Sequence, residues 1–252
     1  MKRLGALAAT MGLLAACSSS ANGSGTGTAA PSGALRIYAA SSLTEAFNEL
    51  KHNFAAVHPG ATISITYGAS SDLATQIAQG APADVFASAS KKNMASLGGT
   101  ALHPVDFVSN VLTVVVPPAN PARIASLPDV AKKSVKVAIC APAVPCGVVA
   151  AQVFAKAGIT VKPTASEPDV KSVLAAVESG EVDAGLVYVT DARAGGAKVR
   201  SVSIPTEFRA STTYPIAALR SAKNAALAKA WVDYVLSAAA RKVLGADGFG
   251  PP

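Results

Sequence analysis

Two pairs of serines, Ser41-Ser42 and Ser70-Ser71, each stand between a short apolar run and the first turn of a helical pattern. At a helix start, free amides and the positive end of the dipole attract an anion, and a serine hydroxyl adds a neutral donor. The same residues also suit caps: Ser42-x-x-Glu45 reads as a capping box and Ser70 or Ser71 as an N-cap. Within the local sequence the two readings stand level. Val144-Pro145-Cys146-Gly147 and Pro168-Asp169-Val170 also precede helical patterns, so their amides point outward too. Tyr188 ends an apolar run and offers a phenol as one more donor. Asp72 and Asp169, beside these donors, are expected to face solvent in a helix first turn, where the dipole favours them.

Holding such junctions together requires strands that alternate with helices. Strand patterns cover Leu35–Ala40, Thr62–Tyr67, Asp84–Ala89, Val111–Val116, Val135–Cys140, Val182–Val189, Val199–Ile204 and Ile216–Leu219. Helical patterns cover Leu43–His58, Asp72–Gln79, Lys92–Leu97, Gly147–Ala157 and Asp169–Ser179, with one long Ala-rich helix over Asn224–Leu244. Leu227, Trp231, Tyr234 and Val235 form the apolar stripe of that last helix. Alternation of this kind predicts an α/β fold with mainly parallel sheets. Ligands of open α/β sheets bind off the carboxyl ends of the strands, where the serine pairs fall.

Composition narrows the function. The chain has 252 residues, 50% of them hydrophobic and 15% charged, so it is far too apolar to be disordered. A net charge of +7 invites a nucleic-acid reading, but nothing basic is denser than Lys91-Lys92 or Lys132-Lys133, and that reading is set aside. No Gly-x-Gly-x-x-Gly follows Leu35–Ala40, and there is no P-loop and no Gly-x-Ser-x-Gly elbow. A hydrolase using Ser42 or Cys146 lacks a triad-like histidine, because His52, His58 and His103 sit in helical or loop contexts. Three Cys and three His are too few for a disulfide scaffold or a dedicated metal site, so no metal ligands and no cofactor are expected.

The first residues set the compartment. Lys2 and Arg3 precede an apolar run, Leu4–Ala16, too short to span a bilayer but suited to a signal peptide. The run ends Leu14-Ala15-Ala16-Cys17, which resembles a bacterial lipobox: residues 1–16 are removed and Cys17 is lipidated. Residues 17–33 read as a flexible tether rich in Ser, Gly, Thr and Ala. The remaining body is expected on the outer face of the cytoplasmic membrane. In that oxidising setting Cys140 and Cys146 are expected to form a short-loop disulfide, the alternative being two free buried thiols.

Six segments in order carry a resemblance: YAASSLTEAF, YGASSDLATQI, GAPADVFASAS, the VPCG turn, EPDVKSVLAAVESGEVDAGLVY and YPIAAL. From about Leu35 to the end, the chain resembles the molybdate-binding proteins of bacterial ABC transporters, a group of periplasmic-type solute-binding proteins. The resemblance implies two α/β lobes joined by two crossing segments, with the oxyanion in the cleft and no enzymatic activity. One lobe would hold 34–112 plus 214–252, the other 113–213. It implies a monomer that hands molybdate or tungstate to an ABC permease driven by a cytoplasmic ATPase. Carried over by position, the oxyanion ligands are Ser42, Ser70, the amides of Cys146 and Val170, and the hydroxyl of Tyr188. Where this family commonly has a small residue such as Ala, the chain has Cys146, which still supplies an amide. Molybdate carries no proton near neutral pH and needs only donors; no Lys or Arg is expected to touch it.

Overall fold

The computed structural model describes residues 31–252, so the signal-peptide and Cys17 expectations lie outside the described residues. The described part of the chain opens with β1 (Gly33–Ala40), α1 (Thr44–Val57), β2 (Ala61–Gly68), α2 (Ser70–Ala78), β3 (Val85–Ala87) and α3 (Lys91–Ala95). It then crosses on the long strand β4 (Ala101–Val116) into β5 (Val137–Cys140), α4 (Pro145–Ala157), β6 (Ala165–Glu167), α5 (Val170–Glu178), β7 (Ala184–Tyr188), α6 (Val189–Gly195) and β8 (Arg200–Val202). It returns on β9 (Ser211–Leu219) and ends in α7 (Ala225–Val235) and α8 (Ala238–Asp247).

The strands are ordered β2-β1-β3-β9-β4-β7-β5-β6, with β8 also on β4. The outer pairs β1·β2, β1·β3, β5·β6 and β5·β7 are parallel, as the alternation predicts. The centre differs: β9 is antiparallel to β3 and β4, and β4 is antiparallel to β7 and β8. These two strands carry the chain across and back, so they run without a helical crossover. The register of β4 passes from β9 to β7 between Val111, opposite Ser211, and Leu112, opposite Tyr188.

Apolar side chains gather on either side of that handover. Leu35, Ile37, Phe47, Leu50, Phe54, Tyr214 and Trp231 belong to one core, and Val114, Val137, Val153, Val173, Val177 and Leu186 to the other. A smaller cluster with Leu73, Ile77, Phe86 and Met94 backs the first. Trp231 is fully buried with Phe47 and Phe54 packed edge-on against it, so it serves the core and not a ligand.

Two expectations about element bounds need correction, and two elements were not expected. The helix over Asn224–Leu244 is two helices, because the Ser237 hydroxyl accepts from the Ala240 amide at 3.2 Å and caps α8 where an Ala-rich stretch concealed the break. β4 and β9 begin earlier than the patterns at Val111 and Ile216; β4 shifts register between Leu102 and Val105 and between Asp106 and Val108, which scrambles its alternation. β6 and α6 were not visible, the first having only three residues and the second only seven.

Candidate oxyanion site

Each site element is a strand end feeding a helix start. After β1 the chain turns through a single 3-10 turn, Ser41–Leu43, before α1. Leu43 occupies the N-cap of α1 and no side chain caps it, so of the two readings the Ser42–Glu45 capping box does not form. The Ser42 hydroxyl, in a residue 3% exposed, instead lies 2.8 Å from the hydroxyl of Tyr214 on β9. After β2 the N-cap of α2 is Ala69, and neither serine caps. Ser70 is buried, and its oxygen accepts the Ala89 amide at 2.9 Å, leaving its own proton to donate. Ser71 turns outward and donates to Asp72, which is exposed as expected.

The second core supplies the opposite wall. Pro145 is the first residue of α4 and has no N–H, so the Cys146 amide follows as a first-turn donor with no intrahelical acceptor. Cys140, ending β5, and Cys146 are joined by a disulfide, with sulfurs 2.08 Å and Cα atoms 5.7 Å apart. Gly147 is required here: a Cβ at that position would sit 2.0 Å from the Ala141 carbonyl oxygen. Val170 opens α5 with another first-turn amide. Asp169, half-buried rather than solvent-facing, caps that helix by accepting from the Ser172 amide at 3.0 Å.

Tyr188 ends β7 and is 1% exposed. Its hydroxyl is buried and makes no hydrogen bond among the described residues. Burial, then the neighbouring Tyr214 and Asp191, push this phenol well above its ordinary range, so it keeps its proton and remains a donor.

Ser42, Ser70, Cys146, Val170 and Tyr188 line one narrow, partly open cavity of about 10 Å³, with Ser41, Ala89 and Asp169 also at its wall. Among the described residues no Lys or Arg lines it. Its one carboxylate, Asp169, is engaged in its own helix cap. The 3-10 turn before α1 and the starts of α2, α4 and α5 converge on it, so the cavity combines helix dipoles with neutral donors and suits a proton-free dianion. A partly protonated anion such as phosphate would seek an acceptor that the wall does not freely offer.

Two contributors escaped the sequence reading. Tyr214, fully buried, holds Ser42 and is itself pushed up by burial, so it too stays protonated. Either hydroxyl can donate in this pair; when Tyr214 does, the Ser42 proton is free for a ligand. Asn110 on β4 donates to the Thr190 hydroxyl at 2.9 Å and accepts from the Val111 amide, fixing the crossing strand to α6 beside Tyr188. Behind Tyr188, the fully buried Asp191 has its carboxyl pushed up to about 7 by burial, with Lys171 at 3.3 Å pulling it the other way.

A two-part sheet with an anion-suited cavity at the strand ends defines a solute-binding protein. The profile described as bacterial extracellular solute-binding protein matches residues 35–250, and the chain belongs to that family, one of transport binding proteins and not of enzymes. It is similar to the molybdate-binding protein ModA of Mycobacterium tuberculosis, 37% identical over 244 residues that cover 96% of this chain and 94% of the relative. It is also similar to ModA of Escherichia coli, 31% identical over 234 residues that cover 87% and 90%. The periplasmic molybdate-binding protein of Azotobacter vinelandii has the same fold, with a TM-score of 0.76 at 21% identity over 86% of this chain and 99% of that one. Among the described residues no helix is long and apolar enough to cross a membrane.

Proposed function

We propose that this protein captures molybdate, and tungstate with it, in the cavity between its two halves and delivers the anion to an ABC permease for import. The observation that carries this reading is the convergence of uncharged donors from both cores on one cavity: Ser42 and Ser70 from one, Cys146, Val170 and Tyr188 from the other. The sequence relatives named for molybdate support the choice of anion. In this reading the lobes are 34–112 plus 214–252 and 113–213, and the anion bridges them, so binding and closure form one equilibrium. Molybdate and tungstate are larger than sulfate, and a rigid donor cage separates them by leaving stretched hydrogen bonds to the smaller anion.

The protein works as a monomer outside the cytoplasmic membrane. Cys17, after removal of residues 1–16, anchors it by lipid and the 17–33 tether keeps it near the permease and its ATPase at high effective concentration.

Thermal unfolding with equal concentrations of molybdate, tungstate, sulfate and phosphate tests the reading. A ligand at a hundred times its Kd stabilises the native state by about 2.7 kcal/mol. The expected result is a large rise in Tm with molybdate and tungstate and little with the other two. A rise with phosphate alone, or with no anion, contradicts it.

A further inference from the structure

Three charged residues stand beside the donors without lining the cavity, and each follows one closely in sequence: Glu45 after Ser42, Lys171 after Val170, Asp191 after Tyr188. The Lys171 ammonium lies 2.7 Å from both Glu45 carboxylate oxygens and 3.3 Å from Asp191 Oδ1. Glu45 belongs to α1, which packs on the first core, while Lys171 and Asp191 belong to α5 and α6 of the second. The Glu45–Lys171 pair therefore spans the cleft, whereas the Lys171–Asp191 pair stays within one half. On the same flank, Arg193 of α6 donates to the Ala246 carbonyl of α8 at 2.8 Å, a second crossing bond.

We propose that Lys171 is the positioning residue of the closed state. Held by Asp191 in its own half, its ammonium clasps Glu45 of the other half and so keeps the Val170 amide facing Ser42 across the anion. The proposal rests on the reading of the cavity as an oxyanion site bridged by both halves. The clasp forms only when the halves meet, so it slows release and leaves capture nearly unchanged. Buried Asp191 prepares the ammonium in place and lowers the ordering cost of closing. Glu45 and the buried Asp191 on either side of the ammonium also keep it away from the cavity wall, consistent with the neutral donors there. The pair is only part-buried, with side chains 24% and 45% exposed, which limits its effect and makes it salt-sensitive.

The test is stopped-flow capture and release of molybdate by the purified protein and its variants, at low and high salt. Glu45→Gln removes the bond across the cleft and leaves Lys171–Asp191 intact. It is expected to raise the release rate about threefold to tenfold at low salt, to leave the capture rate within about twofold, and to abolish the salt dependence of release. Lys171→Arg, which keeps the charge, is expected to release at the parent rate. Unchanged or slower release in Glu45→Gln, or Lys171→Arg releasing as fast as Glu45→Gln, overturns the clasp while the molybdate reading stands. If the parent takes sulfate and not molybdate, the molybdate reading falls and the same comparison with sulfate judges the clasp. If it takes neither anion, both fall.

Discussion

Tyr188→Phe is expected to weaken molybdate binding by about tenfold to a hundredfold while leaving the unliganded protein at least as stable as the parent. The hydroxyl is buried and has no hydrogen-bond partner among the described residues. Its removal therefore breaks no hydrogen bond among the described residues, and an unpaired buried donor is itself a cost. Toward a dianion the same hydroxyl donates a charge-assisted bond, for which about 1.5–3 kcal/mol is typical. That energy corresponds to roughly tenfold to a hundredfold in Kd. Its raised pKa keeps the donor protonated throughout the neutral range, so the loss should not vary with pH there. Calorimetric titration and thermal unfolding of the same preparation check both halves of the statement. Equal affinity in the two proteins would remove Tyr188 from the donor set.

Gly147→Ala is expected to be more damaging, because it acts on the helix start and not on one donor. The three atoms nearest the new Cβ are all backbone: the Ala141 oxygen at 2.0 Å, the Ala141 carbonyl carbon at 2.7 Å and the Cys140 oxygen at 2.8 Å. No side-chain rotation relieves these contacts, so the first turn of α4 has to lift from the end of β5. The disulfide to Cys140 holds Cys146 against that movement. Overpacking of this kind costs about 1–3 kcal/mol, which lowers Tm by roughly 2–12 °C in a protein of this size. The displaced turn carries the Cys146 amide, so molybdate affinity should fall by more than about tenfold. Gly245→Ala is the control: it lies in α8 with nothing within 4 Å of the new methyl, and should be neutral or slightly stabilising. Matching losses in the two variants would mean that the close approach at Gly147 plays no special part.

The serine junctions were legible because strand end, serine pair and helix start lie within a few residues of one another. Whether the serines capped helices or faced a ligand was not, since the answer rests on distant partners. Ser70 is held by the Ala89 amide and Ser42 by Tyr214, and neither link leaves a trace in local sequence. Tyr214 begins the family-like segment YPIAAL, yet its role depends on β9 threading between β3 and β4. The antiparallel centre of the sheet stayed hidden for a related reason: strand periodicity reports which face is buried but not the direction of the neighbour. The break at Ser237 was missed because Leu227, Trp231 and Val235 continue smoothly into an alanine run that favours a helix on either side.

Molybdate is expected between the two cores, held by neutral donors alone. X-ray diffraction at the molybdenum absorption edge, on crystals grown with molybdate, tests it most directly. The expected result is one strong anomalous peak in the cavity. Its oxygens should be within hydrogen-bond reach of the Ser42, Ser70 and Tyr188 hydroxyls and of the Cys146 and Val170 amides, with no Lys or Arg among the contacts. A molybdenum peak against surface lysines, or a cavity anion held by a basic side chain, would contradict the account.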